Sequence, residues 1–254
     1  MLSHFSRISL FLNRVLQLFG VIVTRRANVI PLERLASSRN NLFRSLDIQF
    51  VMDIGANSGQ WAKEVRDCGY KGLLLSVEPT QEAFSILSAY SAKDPNWMTL
   101  KCAIDVVAGS RKILISSNEG LSSSFFNLLD DHKRAAPEVE LVREELVDTC
   151  TLESLIAAHG LPRMYLKIDT QGSELLVLKS IQEETLSKIF AIEIETSLVG
   201  TYLQGPLIEE VVSYLRARNF RPYRIENGLA RPNFGQQVQV DFIFIQNELS
   251  VRVP

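Results

Sequence analysis

Short apolar runs near residues 50–54, 73–77, 98–104, 164–168, 189–194 and 238–245 alternate with segments of helical periodicity near 58–69, 80–92, 151–159, 173–187 and 206–219. Several runs, such as Leu73-Leu-Leu and Ile189-Phe-Ala-Ile, have no polar partner position, as a strand covered on both faces requires. Repetition of strand then helix predicts an α/β fold: a mostly parallel sheet with helices on both faces. The alternation lapses between Ser110 and Cys150, where an apolar stretch, a serine-rich stretch and a charged stretch read as a flap inserted between the third and fourth sheet strands. With 254 residues, 46% of them apolar and 22% charged, the chain can bury a large core in one such domain.

Composition removes several classes of function. A net charge of −2 with scattered Lys and Arg offers no nucleic-acid surface. Cys68, Cys102 and Cys150 are widely spaced and form no CxxC, which argues against a disulfide framework or a zinc cluster and for a reducing, cytoplasmic setting. His4, His132 and His159 are too dispersed for a histidine metal site. Residues 5–23 are apolar but interrupted by Arg7, Asn13 and Arg14, so they predict an amphipathic helix rather than a membrane span. Packing on the domain or on a partner subunit, and peripheral contact with a membrane surface, are both open for it. The reading assigns residues 1–45 to this helix and its connection, and 46–254 to one α/β domain with the insertion at about 110–150.

Ligands of open α/β sheets bind at the carboxyl ends of strands, where strand order reverses. The first such end is Asp53-Ile-Gly-Ala-Asn-Ser-Gly-Gln, a tight turn leading into a helix; the second is Glu78-Pro79. A carboxylate at the second strand end suits ribose hydroxyls. A nicotinamide dinucleotide calls for GxGxxG, yet counting from Gly55 the next two glycine positions hold Asn57 and Gln60, and Asp53 would repel phosphates. S-adenosylmethionine suits the turn better. It has ribose and adenine without phosphate, an ammonium that Asp53 can hold, and a carboxylate that turn N–H groups can meet.

The stretches VMDIGANSGQW, VEPTQEAFSIL, CAID, YLKIDTQGSELLVLKS, IEIETSLVGTYLQGP and QVDFIFI resemble the FkbM-type methyltransferases over roughly Phe50 to Gln246. The combination of LKIDTQGSE with the DxGANxGQ turn is the specific part. The resemblance implies a Rossmann-like seven-stranded sheet, mostly parallel with an antiparallel last strand, and S-adenosylmethionine-dependent O-methylation, chiefly of sugars and natural products. Carried over by position, it implies that Asp53, Gly55, Ala56, Asn57 and Gly59 line the methionine end and that Glu78 and Pro79 hold the ribose. Ala103, Ile104 and Asp105 would border the adenine, and Asp169 would also touch the cofactor.

Chemistry is expected at the fourth strand end. Lys167, Asp169 and Gln171 alternate with Ile168 and Thr170, so a strand would project the three on one side. Asp169 is then the base or orienting group for an acceptor hydroxyl, Lys167 its electrostatic partner, and Glu195 a further acid on the adjacent strand; Lys167 and Asp169 could instead simply satisfy each other. Mg²⁺ between Asp169 and Glu195 is open but not favoured. The flap would cover the acceptor, with Ser122, Ser123, Ser124, Asn127, Gln171 and Tyr202 available to a polyhydroxylated molecule and His132 as an alternative base or a plain surface residue. A glycan or glycosylated metabolite is the expected acceptor. A carboxylate, a protein or a polyketide alcohol is the alternative, as is a protein that binds the cofactor without turnover.

Overall fold

A computed structural model describes residues 32–159, 163–232 and 235–249. The expected N-terminal helix at residues 5–23 lies outside the described residues. The chain divides into two compact units, Met1–Arg39 and Asn40–Pro254. Helix α1 (Leu32–Leu46) runs through that division. Its second half buries Leu42, Phe43 and Leu46. The 45/46 boundary expected from sequence falls in the last turn of that helix.

In the later unit the main sheet has seven strands. They are β1 (Phe50–Ile54), β2 (Leu73–Val77), β3 (Trp97–Leu100), β7 (Met164–Ile168), β8 (Ile189–Ser197), β9 (Phe220–Asn227) and β10 (Gln239–Gln246). Their order is β3-β2-β1-β7-β8-β10-β9. β10, the last strand in sequence, runs antiparallel to both β8 and β9, and β1, β2, β3, β7 and β8 pair in parallel. This is the expected mostly parallel Rossmann-like sheet with an antiparallel last strand. Chain order reverses between β1 and β7, which places a ligand crevice at their carboxyl ends.

Each sheet face carries its own core. Met52, Ile54, Leu166, Ile168, Ile192 and Ile194 pack with Leu152, Leu155, Val177, Val211 and Leu215, from α5 (Leu152–His159), α6 (Glu174–Lys179) and α8 (Ile208–Arg216). On the opposite face Val51, Leu74, Tyr165, Ala191 and Ile243 pack with Leu42, Phe43, Ala62, Val65 and Leu87, from α1, α2 (Gln60–Asp67) and α3 (Gln81–Ser91). The single helix expected over 173–187 is two, α6 and α7 (Glu183–Leu186), because Ser180 turns its hydroxyl back to Val177 O and Gln182 is extended.

The expected strand over 98–104 also divides. β3 ends at Leu100, and β4 (Ala103–Ile104) leaves the main sheet to pair with the insertion. There it joins β5 (Gly109–Ser116) and β6 (Leu141–Cys150) in a three-stranded sheet of order β4-β6-β5, with the short α4 (Asp130–Ala135) between β5 and β6. The insertion is thus a small sheet with its own buried cluster of Ala103, Ile113, Ile115 and Val147. No helix among the described residues is long and apolar enough to cross a membrane.

Candidate functional site

After Ile54 the chain turns through Gly55 (φ +81°), Asn57 (φ +47°) and Gly59 (φ +85°). Gly55 is dictated by the neighbouring strand: a Cβ there would stand 1.8 Å from the carbonyl oxygen of Asp169. Gly59 is dictated by helix packing, since its Cβ would meet Leu87 Cδ1 at 2.9 Å and the Trp97 ring at 3.2 Å. The N–H groups of the turn are all engaged within the protein. Gly55 N and Ala56 N donate to Val77 O at 3.0 and 3.1 Å, and Gly59 N donates to Ala56 O at 2.9 Å. Asn57 N donates to Glu78 Oε2 at 2.9 Å and Ser58 N to Asn57 Oδ1 at 2.6 Å. The N–H groups of Gly55, Ala56 and Asn57 thus tie the end of β1 to the end of β2, while those of Ser58 and Gly59 close the turn on itself.

A cavity of about 360 Å³ opens where β1, β2, β4 and β7 end. It brings together Asp53, Gly55, Ala56, Asn57, Glu78, Pro79, Ala103, Ile104, Lys167, Asp169, Gln171 and Ser123 from distant parts of the chain. Gln60, Trp61, Thr80, Cys102, Ile113, Leu121, Phe125 and Ser173 also line it, and none of these was singled out as a site residue from sequence. Trp61 was the most legible of them, as a large aromatic two residues after Gly59. Gly120, Leu121, Ser123 and Phe125 put the insertion over the opening, and Asn57 Nδ2 reaches Glu119 O at 3.1 Å.

Some expected residues fall elsewhere. Gly59 is in the packing just described. Asp105 does not line the cavity, because Arg111 Nη1 holds its Oδ2 at 2.8 Å and its Oδ1 accepts from Val106 N. Ser124 supports the site from behind, donating its hydroxyl to Gln171 O at 2.5 Å. Asn127 accepts Leu203 N on its backbone oxygen, and Ser122 N donates to Ser116 Oγ. His132 is neither a surface residue nor in the cavity: it is 1% exposed, 5.2 Å ring to ring from Tyr202. Burial pushes its pKa down against the opposing charge of Glu138.

The parallel register lines up a polar row across the sheet: Ser76 opposite Asp53, Asp53 opposite Lys167, Lys167 opposite Glu193. Period-two geometry turns all four side chains to the α2 face, where apolar residues would be the rule. Trp97 Nε1 caps one end on Ser76 Oγ, which donates to Asp53 Oδ2 at 3.1 Å. Trp61 Nε1 and Tyr165 Oη donate to the two oxygens of Glu193 at the other. Burial raises Asp53 to about 7, more than Lys167 and Ser76 lower it. Burial alone would lower Lys167, but Asp169, Asp241, Glu193 and Glu195 together hold it above its ordinary value as a fixed cation.

Lys167 Nζ binds Asp169 Oδ2 at 3.0 Å and Asp241 Oδ1 at 3.5 Å, so Asp169 is paired with Lys167, as one of the two sequence readings has it. The pair sits at the cavity, with the lysine buried and the carboxylate partly open. Gln171 Nε2 bridges Asp169 Oδ1 at 2.7 Å and Glu195 Oε2 at 2.9 Å. Tyr202 Oη donates to Gln171 Oε1, and Gln239 Nε2 adds a bond to Glu195 Oε2 at 2.6 Å. Glu195 stands behind Gln171 rather than on the cavity lining, and burial with the charge of Asp169 raises its pKa well above the carboxylate range. Glu174 closes the turn by accepting Thr170 N and Gly172 N at 3.1 and 3.0 Å. On the opposite wall Glu78, 5% exposed and raised by burial, accepts Thr80 N and Thr80 Oγ1 on Oε1 and Asn57 N on Oε2. Its Oε2 keeps one further acceptor position. Among the described residues no group of three or more His, Cys, Asp or Glu side chains is arranged to hold a metal ion.

Comparison with solved structures finds the FkbM methyltransferase of Methylobacillus flagellatus KT at 14% identity and a TM-score of 0.48. That match covers 77% of this chain and 44% of the other, so this chain spans less than half of that protein's length. The precorrin-6y C5,15-methyltransferase of Geobacter metallireducens GS-15 matches at 14% identity and 0.46, over 89% and 94% of the two chains. Aeropyrum pernix fibrillarin, solved with natively bound S-adenosyl-L-methionine, matches at 9% and 0.40, over 83% and 76%. A search of curated proteins finds no match. The family model described as the methyltransferase FkbM domain matches residues 53–222, from the aspartate of the glycine turn into β9, and the chain belongs to that family of methyltransferases.

Proposed function

We propose that the protein is an S-adenosylmethionine-dependent O-methyltransferase acting on a sugar hydroxyl of a glycan or glycosylated metabolite. One observation carries the choice of cofactor: the one lysine on the cavity lining is already taken up by carboxylates around and behind it. Asp53, Asp169, Glu193, Glu195 and Asp241 all interact with the ammonium of Lys167. Lys167 is the only Lys or Arg among the described lining residues, so no free cation is left there for a pyrophosphate, and the acids around it suit a cationic ligand better. The donor's sulfonium and ammonium meet that requirement, as a dinucleotide does not. Glu78 Oε2 has an acceptor position for a ribose hydroxyl, Asp53 can receive the ammonium, and Cys102, Ala103, Ile104 and Phe125 supply an apolar wall for adenine.

When bound, the cofactor supplies a methyl group already activated on sulfur. The chain's own residues then have positioning and proton work to do. Asp169 reaches the cavity with both oxygens steered, one by Lys167 and one by Gln171, leaving an acceptor position on each for the proton of a substrate hydroxyl. Lys167 holds Asp169 Oδ2 in place, and Tyr202, Ser124 and Gln239 hold the Gln171 bridge. The flap residues Leu121, Ser123 and Phe125 exclude water and offer a hydroxyl to a polyhydroxylated acceptor. The sugar reading rests on the family resemblance and on this polar, carboxylate-equipped end of the cavity.

Calorimetric titration with S-adenosylmethionine and with NAD tests the cofactor. Incubation with panels of sugars, carboxylates, proteins and polyketide alcohols, read as S-adenosylhomocysteine release, tests the acceptor. Tight binding of NAD alone would overturn the cofactor. Turnover with a non-hydroxyl acceptor and none with any sugar would overturn the acceptor.

A further inference from the structure

Cys102 and Cys150 are far apart in sequence but meet at the neck of the insertion. Cys102 precedes β4, Cys150 ends β6, and the two strands pair in parallel with Ile104 opposite Cys150. Their Sγ atoms stand 3.0 Å apart with both cysteines reduced. Asp105 N donates to Cys150 O and Thr149 Oγ1 to Val107 O, so the neck is already fastened by hydrogen bonds. Everything between the two cysteines is the flap, including Gly120, Leu121, Ser123 and Phe125 over the cavity. Cys102 itself lines that cavity beside Ala103 and Ile104.

We propose that Cys102 and Cys150 form an oxidative modification site, a disulfide that staples the flap at its neck. Bond formation requires the sulfurs to close from 3.0 Å to about 2.05 Å, about an ångström of movement across two strands already in register. The oxidant is a low-molecular-weight disulfide. Cys150, the more exposed of the pair, attacks one of its sulfurs as thiolate and expels a thiolate, leaving a mixed disulfide on Cys150. Cys102 loses its proton to solvent and attacks Cys150 Sγ, expelling the second thiolate. One protein disulfide has formed, two protons have passed to the departing thiolates, and two electrons have reduced the small disulfide to two thiols. Cys102 donating its S–H toward Cys150 holds the latter's pKa down, which favours this order of attack.

This site depends on neither the donor nor the acceptor proposed above, and its test has no activity readout. The full-length chain carrying Cys68→Ser is reduced, then equilibrated with oxidised glutathione, and intact mass, peptide mapping and melting temperature are measured. The expected result is loss of the mass of two hydrogens, one peptide linking Cys102 to Cys150, and a melting temperature higher by about 5–10 °C, since the bond closes a long loop of the unfolded chain. Dithiothreitol should reverse all three. On the same background Cys102→Ser should stop at the glutathione adduct on Cys150, and Cys150→Ser should give neither adduct nor cross-link at the neck. A persistent glutathione adduct with both cysteines present, thiols that stay unreacted, or a cross-link only between molecules would each overturn the proposal.

Discussion

The carbonyl oxygen of Asp169 lies 1.8 Å from the position a Cβ on Gly55 would take. The two residues end adjacent parallel strands, and Asp169 N donates to Ile54 O at 2.9 Å, so neither backbone can retreat without opening the sheet at the cavity. Gly55→Ala should therefore cost at least about 3 kcal/mol, combining roughly 1–3 kcal/mol of backbone strain with the displaced carbonyl. For a domain of this size that is a fall in melting temperature of about 6–12 °C. A melting temperature within two or three degrees of wild type would show that the strand ends are not this closely locked.

Asp169→Asn keeps the size of the side chain and removes its charge and basicity. Lys167 retains Asp241 at 3.5 Å and the nearby charges of Glu193 and Glu195, so the lysine is not orphaned and the fold should melt within a few degrees of wild type. Turnover should fall by roughly 10²–10⁴ while S-adenosylmethionine affinity stays near wild type. A preserved turnover, measured per folded molecule, would take Asp169 out of the catalytic role.

Burial raises both Asp53 and Glu174 to about 7. In the unfolded chain these groups lose their protons near pH 4, so between about 4 and 7 the folded state holds protons that the unfolded state does not. Their contribution to stability is present below pH 4 and is lost as pH rises through 7. The unliganded protein should unfold at lower denaturant at about pH 8 than at about pH 5.5, and Asp53→Asn should flatten that difference. An Asp53→Asn profile parallel to wild type would mean that Asp53 titrates normally.

Glu78→Gln leaves either Asn57 N or the Thr80 donors facing an amide NH₂ in place of an oxygen. We expect a lower melting temperature and S-adenosylmethionine affinity weakened by about 1.5–3 kcal/mol, roughly 10- to 150-fold, by calorimetry. Unchanged affinity would move the ribose away from the end of β2.

The alternation of apolar runs and helices from Phe50 onward determined the layered α/β architecture, because the periods of strands and helices leave few other ways to bury such faces. Local chemistry was equally legible: the glycines after Asp53, the acid at Glu78, and the spacing of Lys167, Asp169 and Gln171 that places all three at one cavity. Boundaries were less so. Ser180 interrupts a helix whose apolar spacing continues, and the run over 98–104 is shared between two sheets, since pairing partners are chosen across the chain. The tertiary structure alone decided what depends on register. It placed Ser76, Asp53, Lys167 and Glu193 in one buried row, made Gln171 the bridge between Asp169 and Glu195, and withdrew Asp105 to Arg111. It also engaged the N–H groups of Gly55, Ala56 and Asn57 at the end of β2 and brought Cys102 within reach of Cys150. Sequence periodicity states which face of its own element a residue occupies. Which residues then share that face, and how far their charges are removed from water, is settled only when parallel strands from distant parts of the chain come into register.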